Sequence, residues 1–348
     1  MADLRVRTEG RAGRVTLTRP KALNALSREM VQAIDAALIG WAADPAVALV
    51  LIDAEDPRAF CAGGDIAIMH QTGTAGDLDY GREFWREEYR MNARLSEYPK
   101  PVVTLMQGFT MGGGVGLGCH AAHRVVGETS RLSMPECTIG LVPDVGGSRL
   151  LARAPLGVGR YLGLTGARMG PGCAILAGFA DHFIPEAAWP ALTEGLVATG
   201  DPAVLDTATR PAPDSALGAA AAAIGWAFAP DSVAAIVARL EACTGDWVGP
   251  AQKALARTSP LSLAVTLGIL DRLDPAAPLR DALAGEYRFT YRAMEHGDFL
   301  EGIRALIIDK DNAPRWRHPD HDAVTAAEVA ALLAPLGPHE LRFQEETP

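Results

Sequence analysis

Short apolar segments alternate with segments of helical spacing in the first two hundred residues, and this alternation constrains the fold more than any other feature. Residues 14–18 alternate polar and apolar side chains as a half-buried strand does. Residues 46–52 and 101–106 are continuous apolar runs, typical of strands buried on both faces. Between them, Ser27 is a candidate helix N-cap, followed by apolar residues at helical spacing. Strands separated by helices imply crossover βα units, so we predict an α/β fold.

The pattern changes near residue 200. Residues 200–214 are rich in proline and polar residues, which indicates a surface linker. Helical spacing follows, at residues 233–240, 261–270 and 283–294. We therefore divide the chain into an α/β core at residues 1–200 and a mainly helical C-terminal region at residues 201–348.

Charge and cysteine usage exclude several classes of function. The net charge is −10, so the chain has no general attraction to nucleic acid or to anionic membranes. The first ten residues lack the apolar segment of a secretory signal, and no uncharged run is a good candidate for a membrane span. The five cysteines are an odd number without a C-x-x-C pair, which argues against disulfides or zinc and predicts a reducing compartment, the cytoplasm.

The glycine cluster at residues 112–118 does not match a nucleotide-binding motif. Its spacing fails the G-x-G-x-x-G pattern, and the chain contains neither a G-x-x-x-x-G-K-[ST] loop nor a G-x-S-x-G elbow. The chain also lacks H-E-x-x-H and clustered His and carboxylate spacings, so we expect no metal site.

Two glycine-rich turns remain, and each follows a predicted strand. They occupy residues 59–65 and 112–114. Backbone N–H groups at such turns can converge on one carbonyl oxygen and form an oxyanion hole. Ordinary tight turns are the alternative interpretation of each.

Three carboxylates stand out, two because their neighbours are apolar or glycine and one because of its place on a predicted helix. Glu136 and Asp144 are eight residues apart in such surroundings, where burial raises the pKa of a carboxyl and suits acid–base work. Glu88 shares one predicted helical face with Phe84, Trp85 and Tyr89. It either lines an apolar pocket or pairs with an arginine on its own helix, at position 82 or 86.

Together, these motifs resemble the crotonase (enoyl-CoA hydratase/isomerase) superfamily. The match spans residues 14–185 and includes residues 19–26, 59–65, 100–101, 112–114, 135–136, 146–147 and 164–166. The resemblance implies a crotonase (ClpP-like) fold of repeated ββα units, with C-terminal helices that cover the acyl site and mediate association. It also implies acyl-CoA thioester substrates, whose carbonyl oxygen accepts from the N–H groups of Gly64 and Gly113.

Departures from the hydratase pattern point to one branch of this superfamily. Hydratases of the family have two catalytic glutamates twenty residues apart; the later one matches Glu136, and the earlier position holds Gly116. Asp144 is present instead. This pattern resembles the 3-hydroxyisobutyryl-CoA hydrolase branch, as do residues 84–89, 110–117, 134–136, 298–305 and 308–311, together with Pro314 and Trp316.

The branch implies hydrolysis of 3-hydroxyisobutyryl-CoA, or of a close short 3-hydroxyacyl-CoA, as in valine breakdown, without a cofactor beyond the CoA of the substrate. Glu136 is then the nucleophile or the base that activates water. Asp144 assists proton transfer or positions the substrate hydroxyl, and Glu88 contacts that hydroxyl. Candidate CoA contacts are Lys21, Ala62, Gly63, Asp65 and Lys310, although a solvated surface side chain is an equally good interpretation of either lysine.

Three alternatives stay open. The chain could be an enoyl-CoA hydratase or isomerase, which Gly116 disfavours, or a hydrolase of a different hydroxyacyl-CoA. It could also be a non-catalytic acyl-CoA-binding homologue, which the retained Glu136 and Asp144 disfavour. The sequence does not determine the oligomeric state and leaves a homo-oligomer open.

Overall fold

The computed structural model describes residues 3–343, which form two compact units. The first unit contains residues 3–64, 90–133 and 168–216, and the second unit contains residues 65–89, 134–167 and 217–343. Each unit is therefore assembled from several stretches of the chain. The division at residue 200, and the covering and associating roles of residues 201–348, stay predictions. Residues 1–2 and 344–348 of those regions lie outside the described residues.

Within residues 3–343, every strand belongs to the first unit. The strands are β1 Leu4–Glu9, β2 Ala12–Leu17, β3 Leu49–Ala54, β4 Ala59–Cys61, β5 Val102–Met106, β6 Phe109–Met111, β7 His123–Val126, β8 Arg131–Ser133 and β9 His182–Phe183. One sheet has the order β1-β2-β3-β5-β7-β9 and is parallel except for the β1–β2 pair. The other is the parallel sheet β4-β6-β8. A long strand of the first sheet is thus followed three times by a short strand of the second.

Buried strands form the core of the first unit. β3 and β5 are buried along almost their whole length, as their continuous apolar sequences predict. Apolar side chains of β2, β3, β5 and β7 pack against Leu192, Leu196 and Leu205. The predicted α/β fold is confirmed.

The α-helices lie between the strands and through the C-terminal part. They are α1 Arg28–Ala43, α2 Ile66–Thr74, α3 Asp79–Ser96, α4 Gly113–Gly118, α5 Gly147–Arg153, α6 Val158–Thr165, α7 Pro171–Leu176, α8 Trp189–Thr199, α9 Val204–Ala208, α10 Ala216–Ala227, α11 Val233–Leu240, α12 Val248–Arg257, α13 Pro260–Arg272, α14 Leu279–His296, α15 Phe299–Ile303 and α16 Ala326–Leu332. Short 3₁₀ turns occupy Pro20–Ala22, Glu136–Ile139, Pro155–Gly157, Glu186–Ala188 and Gly337–His339, and a π turn occupies Arg304–Ile308.

Local signals explain several helix boundaries. The Ser27 hydroxyl caps α1 by accepting from the Met30 N–H at 3.3 Å, as predicted. The helical spacing in the C-terminal region is confirmed by α11, α13 and α14. Among residues 3–343, no helix is both long and apolar enough to cross a membrane.

Residues 200–214 lie at the surface except for Leu205, as predicted, but they are not a simple linker. The segment contains α9, and Leu205 within it is buried in the core of the first unit. The Arg210 N–H also donates to the Phe183 carbonyl of β9 at 2.9 Å. The sequence did not indicate the burial of Leu205, because a single buried leucine produces no periodic pattern of apolar residues.

Candidate active site

The two glycine turns of the first unit follow neighbouring parallel strands. Residues 62–64 follow β4, and residues 112–114 follow β6. These strands pair through Ala59 with Phe109 and through Cys61 with Thr110. Because the carboxyl ends of parallel strands meet at one edge of a sheet, both turns lie side by side.

The absence of side chains lets the two turns approach each other closely. Gly63 has a φ of +113°, a left-handed conformation, and a Cβ atom there would lie 3.7 Å from the Gly113 nitrogen. A Cβ atom on Gly114 would lie only 2.1 Å from the Cys61 carbonyl oxygen. The structure gives the Gly64 and Gly113 N–H groups no acceptor among residues 3–343. Two free donors on adjoining turns fit an oxyanion hole, and that role stays a prediction.

Asn24 holds the first turn in place, a function that sequence reasoning missed. Its buried side chain accepts from the Arg19 N–H at 2.8 Å and donates to the Ala59 carbonyl at 2.9 Å. Backbone bonds from Ala62 and Leu26 to neighbouring carbonyls join the same two segments. The signal available in the sequence was that Asn24 lies in the first family motif, at residues 19–26. A buried side-chain amide needs hydrogen-bond partners for both its oxygen and its NH₂ group.

The structure does not test the predicted CoA contacts. Lys21 is exposed on the Pro20–Ala22 turn of the first unit, and no ion pair with it occurs in the described part of the chain. Ala62 and Asp65 are half-buried, and Gly63 is buried. Lys310 belongs to the second unit, where it is exposed with a φ of +57°. No group of three or more His, Cys, Asp or Glu residues between positions 3 and 343 could hold a metal ion.

Four of the buried carboxylates in the second unit influence one another electrostatically. None is more than 4% exposed, and they come from α3, the Glu136–Ile139 turn, the loop before α5, and α14: Glu88, Glu136, Asp144 and Glu286. Among residues 3–343, no cation contributes to the pKa of any of these four groups, so they cannot all ionise easily in such surroundings. The cluster is therefore suited to holding and exchanging protons.

The Asp144 carboxylate has a hydrogen-bond partner in Tyr89, the residue after Glu88 in α3. The Tyr89 hydroxyl donates to its Oδ2 atom at 2.7 Å and lies 3.4 Å from the Thr290 hydroxyl oxygen. Burial raises the pKa of Asp144 to about 7, and the hydrogen bond from Tyr89 opposes that rise. Asp144 therefore titrates near neutral pH.

The pKa of Glu136 is also raised by its surroundings. Burial holds its pKa well above the ordinary value, and the negative charges of Asp144, Glu286 and Glu88 raise it further. Its Oε2 atom is buried and has no hydrogen-bond partner among the described residues. An unpartnered buried oxygen of this kind is available to a bound substrate as a base or a nucleophile.

Glu88 lies on the apolar face of α3, as predicted. Phe84, Trp85 and Tyr89 of that face are buried with it. Glu88 does not pair with an arginine of its own helix, so that alternative is wrong: Arg82 pairs with Asp79 and Glu295, and Arg86 lies over the Tyr287 ring. Burial, and then the charge of Asp144, raises the pKa of Glu88 well above its ordinary value. Its Oε1 atom has no partner among residues 3–343.

Glu286 was missed by sequence reasoning. Its carboxylate accepts from the Gly146 N–H at 2.8 Å, from the Ser148 N–H at 3.0 Å and from the Ser148 hydroxyl. Burial raises its pKa to about 8, which the bonds from Ser148 and Gly146 oppose. No local signal marks it, because its partners are about 140 residues away along the chain.

The sequence profile of the enoyl-CoA hydratase/isomerase family matches residues 12–333. The chain belongs to this family. The predicted resemblance is confirmed, and the protein is an acyl-CoA enzyme of the crotonase superfamily. Gly116 is a buried residue of α4 and supplies no carboxylate. It occupies the position at which the hydratase pattern described above has its earlier glutamate.

Relatives and solved structures cover nearly the whole chain. The mitochondrial 3-hydroxyisobutyryl-CoA hydrolase of Xenopus tropicalis is 39% identical over 96% of this chain and 89% of its own. The crystal structure of an enoyl-CoA hydratase from Rhodobacter sphaeroides is 61% identical, with a TM-score of 0.94 over 98% of this chain and 100% of its own. That of a carnitinyl-CoA dehydratase from Mycobacterium thermoresistibile is 40% identical, with a TM-score of 0.95 over 99% and 100%. The crotonase fold with a helical C-terminal region is thereby confirmed.

Proposed function

We propose that the protein hydrolyses 3-hydroxyisobutyryl-CoA, or a close short 3-hydroxyacyl-CoA, to the free hydroxy acid and CoA, as in valine catabolism. The observation that carries this proposal is the pair of buried carboxylates, Glu136 and Asp144, in a chain whose residue 116 is glycine. The full-length relatives named 3-hydroxyisobutyryl-CoA hydrolase support the same substrate.

In the proposed reaction, the N–H groups of Gly64 and Gly113 hold the thioester carbonyl oxygen as it gains negative charge. Glu136 either attacks the carbonyl carbon and forms an acyl anhydride, which water then opens, or removes a proton from an attacking water. The carbon–sulfur bond breaks, and the CoA thiolate leaves and takes up a proton. Asp144 assists that proton transfer, and Glu88 accepts a hydrogen bond from the substrate hydroxyl.

Enoyl-CoA hydration is the second candidate, because the 61% identical structure from Rhodobacter sphaeroides is named an enoyl-CoA hydratase. The family pattern for that reaction has two glutamates about an alkene, one of which corresponds to Gly116 here. In the described chain, Glu136 keeps the later position and α4 offers only glycine at the earlier one. We therefore favour thioester cleavage.

The two candidates can be separated with one enzyme preparation and three substrates. The protein is incubated separately with 3-hydroxyisobutyryl-CoA, 3-hydroxypropionyl-CoA and crotonyl-CoA. The release of free thiol and the absorbance of the double bond are measured over time. We expect rapid thiol release from 3-hydroxyisobutyryl-CoA and negligible hydration of crotonyl-CoA. Preferential cleavage of 3-hydroxypropionyl-CoA would change the acyl chain that we propose. A hydration rate comparable with the cleavage rate would overturn the hydrolase proposal, and inactivity toward all three would favour a binding role.

Other properties stay predictions. We propose a cytoplasmic protein that binds acyl-CoA without a further cofactor, a nucleic-acid partner or a membrane partner.

A further inference from the structure

The loop that carries Asp144 has an unusual backbone conformation. Asp144 is followed by Val145 with a φ of +52° and by Gly146 with a φ of +79°, and the Gly147 N–H returns to the Asp144 carbonyl at 2.6 Å. Two successive left-handed residues closed in this way form a type I′ turn, which favours Gly, Asn or Asp at both central positions. A β-branched valine is strained there. Such strain persists only where surrounding contacts enforce it.

Glu286 supplies contacts that enforce this conformation. Its two carboxylate oxygens accept from the N–H groups of Gly146 and Ser148 and from the Ser148 hydroxyl. These donors lie directly after Val145, at the end of the turn and the start of α5. Glu286 itself is fully buried in α14, so its carboxylate cannot move away from these donors without disturbing that helix.

Both the side chain and the backbone of Asp144 are therefore held in place. Tyr89 fixes the carboxylate by a hydrogen bond to Oδ2, and Glu286 fixes the backbone two and four residues further along. We infer that Glu286 is a positioning residue, which clamps the strained turn at residues 144–147 and thereby sets the place of the Asp144 carboxylate. This inference rests on the proposed function of Asp144 in thioester cleavage.

Replacement of Glu286 by glutamine tests the clamp, because an amide NH₂ cannot accept a hydrogen bond. We expect Glu286→Gln to lower kcat by about 10- to 100-fold, the cost of a small misplacement of a catalytic group, with KM changed much less. Amide hydrogen exchange should become faster in residues 144–148. Asp53→Asn is the matched control: it alters another buried carboxylate, paired with Arg14 in the first unit, and should leave kcat unchanged.

Two double variants separate positioning from a general loss of stability. If Glu286 acts through Asp144, Glu286→Gln should cause no further loss of kcat in an Asp144→Asn background. Val145→Gly should restore part of the kcat of Glu286→Gln, because glycine adopts a positive φ without strain. Independent, additive losses, or no restoration by Val145→Gly, would overturn the inference, as would a folded Glu286→Gln enzyme with the kcat of the wild type.

Ser148→Ala provides a milder variant if Glu286→Gln fails to fold. It removes only the hydroxyl donor, so we expect the same pattern at smaller amplitude, and an unchanged kcat with unchanged exchange would again overturn the inference. Hydrogen exchange also distinguishes this inference from the proposed function. If the wild type cleaves no thioester, the proposed function fails, while faster exchange confined to residues 144–148 in the variants would still support the clamp.

Discussion

The glycine turns of the first unit and the buried carboxylates of the second unit present reactive groups in different ways. In the turns, the reactive groups are backbone N–H donors, which are accessible because residues 63, 64 and 112–114 carry no side chains. In the carboxylate cluster, the reactive groups are side chains whose pKa values depend on burial, on one another's charges and on the Tyr89 hydroxyl. The turns are therefore determined by local sequence, and the cluster by tertiary packing. Substitutions in the turns should lower the rate of the reaction without changing its pH dependence. Substitutions in the carboxylate cluster should also change the pH dependence of the rate.

The largest effect is expected from Glu136→Gln. Glutamine keeps the volume of glutamate but cannot act as a nucleophile or as a base, so thioester cleavage should fall by roughly 10²- to 10⁴-fold or more. Turnover is measured by thiol release, and folding by circular dichroism. Glu194→Gln, on an exposed position of α8, is the control and should be fully active. Near-normal turnover in a folded Glu136→Gln protein would remove Glu136 from the mechanism.

Gly113→Pro tests the other region. Proline deletes one N–H donor, which contributes most when the carbonyl oxygen carries full negative charge, so kcat should fall by about 10²- to 10³-fold with a smaller change in KM. Because no titrating group is altered, the pH profile of the remaining activity should keep its shape. A folded and active Gly113→Pro enzyme would show that the oxyanion is held elsewhere, and a shifted profile would contradict the distinction between the two regions.

Glu88→Ala should reduce substrate discrimination. We expect the ratio of kcat/KM for 3-hydroxyisobutyryl-CoA to that for isobutyryl-CoA to fall by about 10-fold, since a buried hydroxyl left without its partner costs about 1–3 kcal/mol. The comparison of the two substrates cancels any general loss of activity. An unchanged ratio would place Glu88 outside the hydroxyl site.

Tyr89→Phe should have the smallest effect, and one that depends on pH. The Tyr89 hydroxyl stabilises the ionised form of Asp144, so its removal raises the pKa of Asp144 further above its value of about 7. Activity that requires ionised Asp144 should then fall by roughly 3- to 10-fold below neutral pH, as expected for one lost hydrogen bond, and recover at higher pH. The full pH profiles of kcat/KM for the wild type and Tyr89→Phe provide the test. A shift of the acid limb to lower pH, or a uniform loss at all pH values, would contradict the proposed role of the hydroxyl.

The same contrast explains how much the sequence could predict. The Ser27 cap, the buried strands and the glycine turns depend on residues close together in the chain, and the structure contains each of them. Glu136 and Asp144 were found because both stand in one short glycine-rich segment. Glu286 could not be found, since only the packing of α14 brings it to residues 146–148. The burial of Leu205 was missed for a similar reason, because a single contact with a distant core has no periodicity.

Incubation of 3-hydroxyisobutyryl-CoA with the purified protein in water enriched in heavy oxygen tests the central claim most directly. Mass spectrometry then locates the label in the products. Thioester hydrolysis predicts release of free CoA thiol together with label in the carboxylate of 3-hydroxyisobutyrate. Label that appears only in the 3-hydroxyl group of the intact CoA ester, without thiol release, would show reversible dehydration and would contradict the account.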